Sequence, residues 1–107
     1  MTKVRVEPGI CGFTTLVTAE DLDDDEVRVR VASGCKAVQE MMVALGDTFS
    51  SFEVCLAKPG KGPFYEYAAE YFPVHAACPV LAGIGKCVEA EAKLALKRDV
   101  TITFVEE

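Results

Sequence analysis

Apolar and polar positions change rhythm several times along the chain, and each rhythm predicts an element. Val4 and Val6 alternate with Lys3, Arg5 and Glu7, which predicts a short first strand stopped by Pro8-Gly9. Thr14 to Ala19 is rich in β-branched residues and reads as a second strand. Glu26-Val27-Arg28-Val29-Arg30-Val31 alternates charged and apolar residues, the pattern of a strand with one wet face. The acidic run Glu20 to Asp25 lies between the last two, so they are expected to form an antiparallel hairpin with that run as its connection.

The period then lengthens. After Ser33-Gly34-Cys35, the residues Val38, Met41, Met42 and Leu45 recur at steps of three and four, predicting a helix over Lys36–Leu45 that Gly46-Asp47 ends. Phe52, Val54 and Leu56 fit a strand or a helical turn equally. Proline and glycine make 58–63 a loop, and Phe64 to Phe72 reads as a short helix stopped by Pro73. Pro79 suits the first position of a helix, where its missing N–H costs nothing. That helix is expected to run to about Lys97, with Val80, Ile84, Cys87, Val88, Leu94 and Ala95 along one side. Val100, Ile102 and Phe104 alternate with Thr101, Thr103 and Val105, predicting a terminal strand. Together these elements imply an α+β fold. It is a three- or four-stranded, mainly antiparallel sheet with helices packed on one face, in a single domain over residues 1–107.

Composition narrows the function. Half the residues are hydrophobic, enough for an independent core, yet no apolar run approaches the length of a membrane span. Met1 to Val6 lacks the apolar stretch and cleavage site of a signal peptide, so a cytoplasmic location is expected. A net charge of −6, no basic stripe and no tryptophan argue against a nucleic-acid partner. Five cysteines, an odd number, in a chain with no export signal point to free, metal-ligating or catalytic thiols before disulfides.

The cysteines are Cys11, Cys35, Cys55, Cys78 and Cys87. With the hairpin centred between Leu22 and Asp23, Cys11 and Cys35 fall opposite one another to within a residue or two. Opposed Cβ atoms in a sheet lie roughly 4.5–5.5 Å apart, within reach of one metal. Cys35 and Cys78 each open a predicted helix, where free N–H groups and the dipole favour thiolate, the form that binds metal or attacks electrophiles. His75, the only histidine, stands three residues before Cys78. Cys11, Cys35, Cys78 and His75 would make a three-thiolate, one-imidazole site suited to zinc or an iron–sulfur cluster, although no C-x-x-C pair is present.

At these residues the chain resembles the IscU/NifU N-terminal family of iron–sulfur cluster scaffolds. Cys11-Gly12-Phe13 stands where that family has C-G-D, Gly34-Cys35 where it has G-C, and Cys78-Pro79-Val80-Leu81-Ala82 resembles its C-S-I-L-A stretch. The spacings, 24 residues from Cys11 to Cys35 and 43 on to Cys78, are similar too. The resemblance covers roughly residues 9 to 97 and implies a [2Fe–2S] cluster or zinc held by Cys11, Cys35 and Cys78. It also implies a cysteine desulfurase or a cluster-accepting client as partner. Phe13 replaces the aspartate that makes the family's cluster labile, and two alanines separate His75 from Cys78. The family's chaperone-recognition segment and N-terminal helix are missing.

Other features have plainer explanations. Cys87 lies on the apolar stripe of its helix and Cys55 among Phe52, Val54 and Leu56, so both are expected in the core. Asp21, Asp23 and Asp25 lack the glycine and twelfth ligand of a calcium loop, and Gly60-Lys61-Gly62 lacks the serine or threonine of a P-loop. Met41, Met42 and Phe64 read as core, while Tyr65 and Tyr67 suit a surface edge or a homodimer contact. Two further functions fit the same residues. One is a thiol enzyme or redox sensor using Cys78 with His75 as base; the other is an interaction domain that keeps the scaffold fold without its activity.

Overall fold

A computed structural model describes residues 1–106. Its strands are β1 (Thr2–Val6), β2 (Thr15–Asp23), β3 (Glu26–Ala32) and β4 (Thr48–Ser50), and its helices are α1 (Lys36–Leu45), α2 (Ser51–Cys55), α3 (Pro63–Tyr71) and α4 (Pro79–Glu91). The strands form one antiparallel sheet in the order β1-β2-β3-β4, each beside its neighbour in sequence. The fold is the expected α+β class.

Alternation explains the layers. Thr15, Val17 and Ala19 on β2 and Val27 and Val29 on β3 point inward and are buried, whereas Leu16, Glu20 and Arg30 face outward. Helices cover only the inward face: α4 lies on β1 and β2, and α1 on β3. Val17, Val29, Val38, Met41, Ile84, Cys87 and Val88 fill one core with at most 1 % exposure each. Burying a side chain of this size contributes roughly 1.5–3 kcal/mol relative to leaving it in water. Among the described residues no helix is long and apolar enough to cross a membrane.

The hairpin is tighter than expected. Pairing runs from Leu16↔Ala32 to Asp21↔Val27, shifts between Asp21 and Asp23, and closes over Asp24-Asp25. Both turn residues have positive φ, 51° and 65°, as a two-residue hairpin turn requires. Much of the acidic run is therefore strand. Glu20 stands directly opposite Arg28 and their side chains meet at 3.1 Å, so charge here stabilises a ladder on its wet face. The Asp25 carbonyl accepts bonds from Ser51 N at 2.8 Å and Ser51 Oγ at 3.1 Å, which fastens the start of α2 to the hairpin tip. Phe52, Val54 and Leu56, which fitted either element, thus belong to a helical turn and its cap, and the strand β4 lies just before them.

Helix α4 fixes the sheet's other side. Gly83 lies so close to β1 that a Cβ there would overlap Val6 Cγ2 and touch Val4 Cγ1. At the far end, the Glu91 carboxylate accepts bonds from Thr2 Oγ1 at 2.7 Å and Asp21 N at 2.9 Å, with the Met1 ammonium 3.5 Å away. Burial pushes this carboxyl up, but those donors outweigh it and hold it below its ordinary value. So α4 runs antiparallel to β1, from Val6 towards Thr2.

The expectation of a helix to Lys97 is corrected. Lys93 takes φ 62°, its N–H bonds to Ala90 O, and Leu94 N–H bonds to Glu89 O at 2.8 Å, the pattern that closes a helix on a left-handed residue. The expected strand Val100–Val105 is corrected too: among the described residues the segment pairs with no strand, and it is exposed. The fourth strand of the sheet is β4 instead.

Candidate functional site

Pairing of Val6 with Thr15 and of Leu16 with Ala32 brings the end of β1, the start of β2 and the end of β3 to one margin of the sheet. Because Gly83 packs on Val6, the N-terminus of α4, about one helical turn earlier, lies beyond that same margin. Three connections therefore lie towards that end: residues 7–14, Ser33–Cys35, and the stretch leading to Cys78. They carry Cys11, Cys35 and Cys78.

Closer in, the register corrects the expected pairing. Continued past the last ladder pair, it sets Thr15 opposite Ser33 and Phe13, rather than Cys11, opposite Cys35. The cause is the turn at Asp24-Asp25, which moves every pair by two to three residues. Cys11 instead occupies a turn from Gly9 to Gly12, closed by Gly12 N–H to Gly9 O at 3.0 Å. Both glycines have positive φ, 87° and 73°, which most side chains would resist, and Cys11 is exposed.

Hydroxyls tie two of these connections together. Cys35 N–H donates to Ser33 Oγ at 3.1 Å, the Ser33 and Thr15 hydroxyls are 2.8 Å apart, and Thr15 Oγ1 donates to Phe13 O at 2.9 Å. Gln39 on α1 donates to Ser33 O at 2.6 Å. The Phe13 ring rests on Gly34, where a Cβ would come within 2.9 Å of Phe13 Cδ1. Thr15, fully buried, is a positioning residue the sequence pattern did not single out. The available signal was a polar cross-strand pair immediately before a glycine and a helix start.

Cys35 and Cys78 are the N-cap residues of α1 and α4, both with extended backbone and neither with its side chain bonded to the helix N–H groups. Both are partly buried against the core. His75 is exposed, takes φ 96°, and its carbonyl accepts the Cys78 N–H at 3.2 Å. The remaining two thiols are different. Cys87 is fully buried with Sγ 3.3 Å from Thr2 O, and burial pushes its thiol up to about 11. Cys55 is partly buried with Sγ 3.9 Å from Gly85 O, and burial, then Glu89, raises it to about 11. Cys87 matches the expected core role, while Cys55 packs against the core without being fully buried.

The donors share a margin without forming a finished ligand set. Among the described residues, no three His, Cys, Asp or Glu side chains gather closely enough to hold a metal ion. The residues as they stand therefore do not fit a closed zinc or cluster site. What the margin presents is one exposed thiol on a glycine-bounded turn, two partly buried thiols at helix starts, and an exposed imidazole.

Fold and margin together define a small α+β protein, an antiparallel meander with helices on one face and its one exposed thiol, Cys11, on a connection at one end. The chain belongs to DUF6951, a family of unknown function, whose model it matches over residues 2–104. No curated protein and no solved structure gives a significant match.

Proposed function

We propose that this chain is a cytoplasmic metal- or iron–sulfur-cluster-binding protein of the kind that serves cluster assembly, with Cys11, Cys35 and Cys78 as its thiolates and His75 as an additional donor. The observation that supports the reading is the common margin: the connections that carry Cys11, Cys35 and Cys78 lie towards one end of the sheet, and Cys35 and Cys78 each begin a helix. On this reading the donors, no three of which gather among the described residues as the chain stands, are drawn together by the metal. Cys11, exposed on a turn between two glycines, is the ligand that has to travel; Cys35 and Cys78 are fixed by the helices they begin. A [2Fe–2S] cluster or a zinc ion suits thiolate-rich donors. A cysteine desulfurase or a cluster-accepting client is the corresponding partner.

The test is anaerobic. Purified chain is titrated with zinc, and separately with ferrous iron and sulfide, followed by the ultraviolet–visible spectrum and elemental analysis. Saturation at one site per chain is expected. Cys11→Ser, Cys35→Ser and Cys78→Ser should each weaken it by more than the ~10–100-fold that outer partners of a metal contribute. Cys87→Ala should leave it unchanged. A chain that takes up neither metal nor cluster, or whose uptake survives all three serine replacements, overturns the reading.

A further inference from the structure

Two features are left unsatisfied on opposite counts. Among the described residues strand β1 pairs only with β2, so one edge of its backbone carries no partner there. Val4, in the middle of β1 on the face turned to the helices, is only partly buried, so the core is unfinished along that edge. Meanwhile Val100-Thr-Ile-Thr-Phe-Val105 has the strongest strand composition in the chain and forms no strand. Val100, Ile102, Phe104 and Val105 are 61 %, 88 %, 102 % and 82 % exposed. A strand-forming apolar segment in water next to an open sheet edge is a pairing partner waiting for its complement.

The two match in detail. Laid antiparallel with Val100 opposite Val6, the segment puts Ile102 opposite Val4 and Phe104 opposite Thr2, all on the helix-facing side where β1 buries Thr2 and Val6. Thr101 and Thr103 then stand opposite Arg5 and Lys3 on the wet side. The ladder ends at Val100, since the same register would set Asp99 against Glu7, while at the other end Glu106 comes level with the amino-terminal side of β1, where Met1 and Lys3 are positive. A shift of one residue would turn Ile102 and Phe104 to solvent and lose the match.

Within its own chain the segment, separated by eight residues from the end of α4 at Glu91, stays exposed and unpaired among the described residues while the β1 edge stays open. A second copy presents β1 in the antiparallel sense. We infer that residues 100–105 add as a fifth strand to the free edge of β1 in a second copy of the chain, reciprocally, giving a closed two-fold dimer by strand exchange.

Sedimentation equilibrium and backbone amide exchange on the full chain test this. A dimer of twice the 11.6 kDa chain mass is expected, with slowed exchange both in β1 and at residues 100–105. Ile102→Pro removes one ladder N–H at a segment that does not contribute to the core of its own chain. It should weaken dimerisation by at least about 100-fold and leave the rest of the exchange pattern intact. Ile102→Thr keeps the N–H and should weaken it far less. A monomer, whether its segment exchanges freely or is protected on its own sheet, overturns the inference. So does a dimer indifferent to Ile102→Pro, or an open series of larger species. Metal uptake is read separately, so this result and the thiol assignment fail independently.

Discussion

The two ends of α4 carry cysteines nine residues apart under opposite conditions. At one end Cys87 is sealed between α4 and the sheet, its sulfur against the carbonyls of Thr2 and Val17, with Glu91 clamping the helix to β1 one turn on. At the other, Cys78 begins the helix beside exposed residues 73–77, a backbone with positive φ at His75, and two further connections that carry Cys11 and Cys35. One helix thus joins a fully buried region to one where Cys78 is only partly covered and the residues before it are exposed. A thiol's residue type says little about its role; its depth along α4 says most of it.

The largest effect that would break this contrast is at Gly83. Gly83→Val drives two methyl groups into Val6 and should cost about 2–3 kcal/mol, lifting α4 from β1 and opening Cys87 to alkylation. Gly85, two residues on, has nothing within 4 Å of a built Cβ, so Gly85→Ala should stabilise by about 0.5–1 kcal/mol. Thermal unfolding of the pair reads both signs, and equal midpoints would refute the tight contact.

At the open end, Thr15→Val keeps the shape but strips the hydroxyl between Phe13 O and Ser33 Oγ. It should cost about 1–2 kcal/mol and speed alkylation of Cys35, because its helix start loses its tie to the neighbouring connection. An unchanged Cys35 rate would show that the hydroxyls do not position it.

The subtlest difference is in alkaline solution. Folding holds the protons of Cys87 and Cys55 to about 11 against an ordinary 9.0. Between those values the unfolded chain has lost protons that the folded chain keeps, so stability falls as pH rises from 9.0 towards about 11. Denaturant midpoints across that interval should decline, and less steeply in Cys87→Ala. A slope identical to the parent's would place the titration elsewhere.

Much of the scaffold was legible because local pattern and tertiary burial agree. Helix α1 spans the residues its apolar stripe marks, and α3 differs by one residue at each end. The errors have separate physical sources. The acidic run looked like a loop because charge was taken for solvent exposure, yet a strand with one wet face accepts charges as readily. Leu94 and Ala95 keep the helical spacing, but the stop is made by Lys93, a residue with no special liking for left-handed backbone. The pattern at 100–105 records a preference for extended structure and cannot name a partner. At the margin, the expected pairing of Cys11 with Cys35 failed on a register that only the turn geometry sets. Thr15 went unnoticed because a single buried hydroxyl leaves no periodic trace.

The order of the strands also sets an order of assembly. Every β pair joins neighbours in sequence, whereas α4 must return from position 79 onwards to cover residues near the amino terminus. During synthesis the meander has what it needs before that helix leaves the ribosome. Until it arrives, the inner side of β1 and β2 faces water bare, an interval in which a nascent chain is most open to aggregation and to any helper that shields such surfaces.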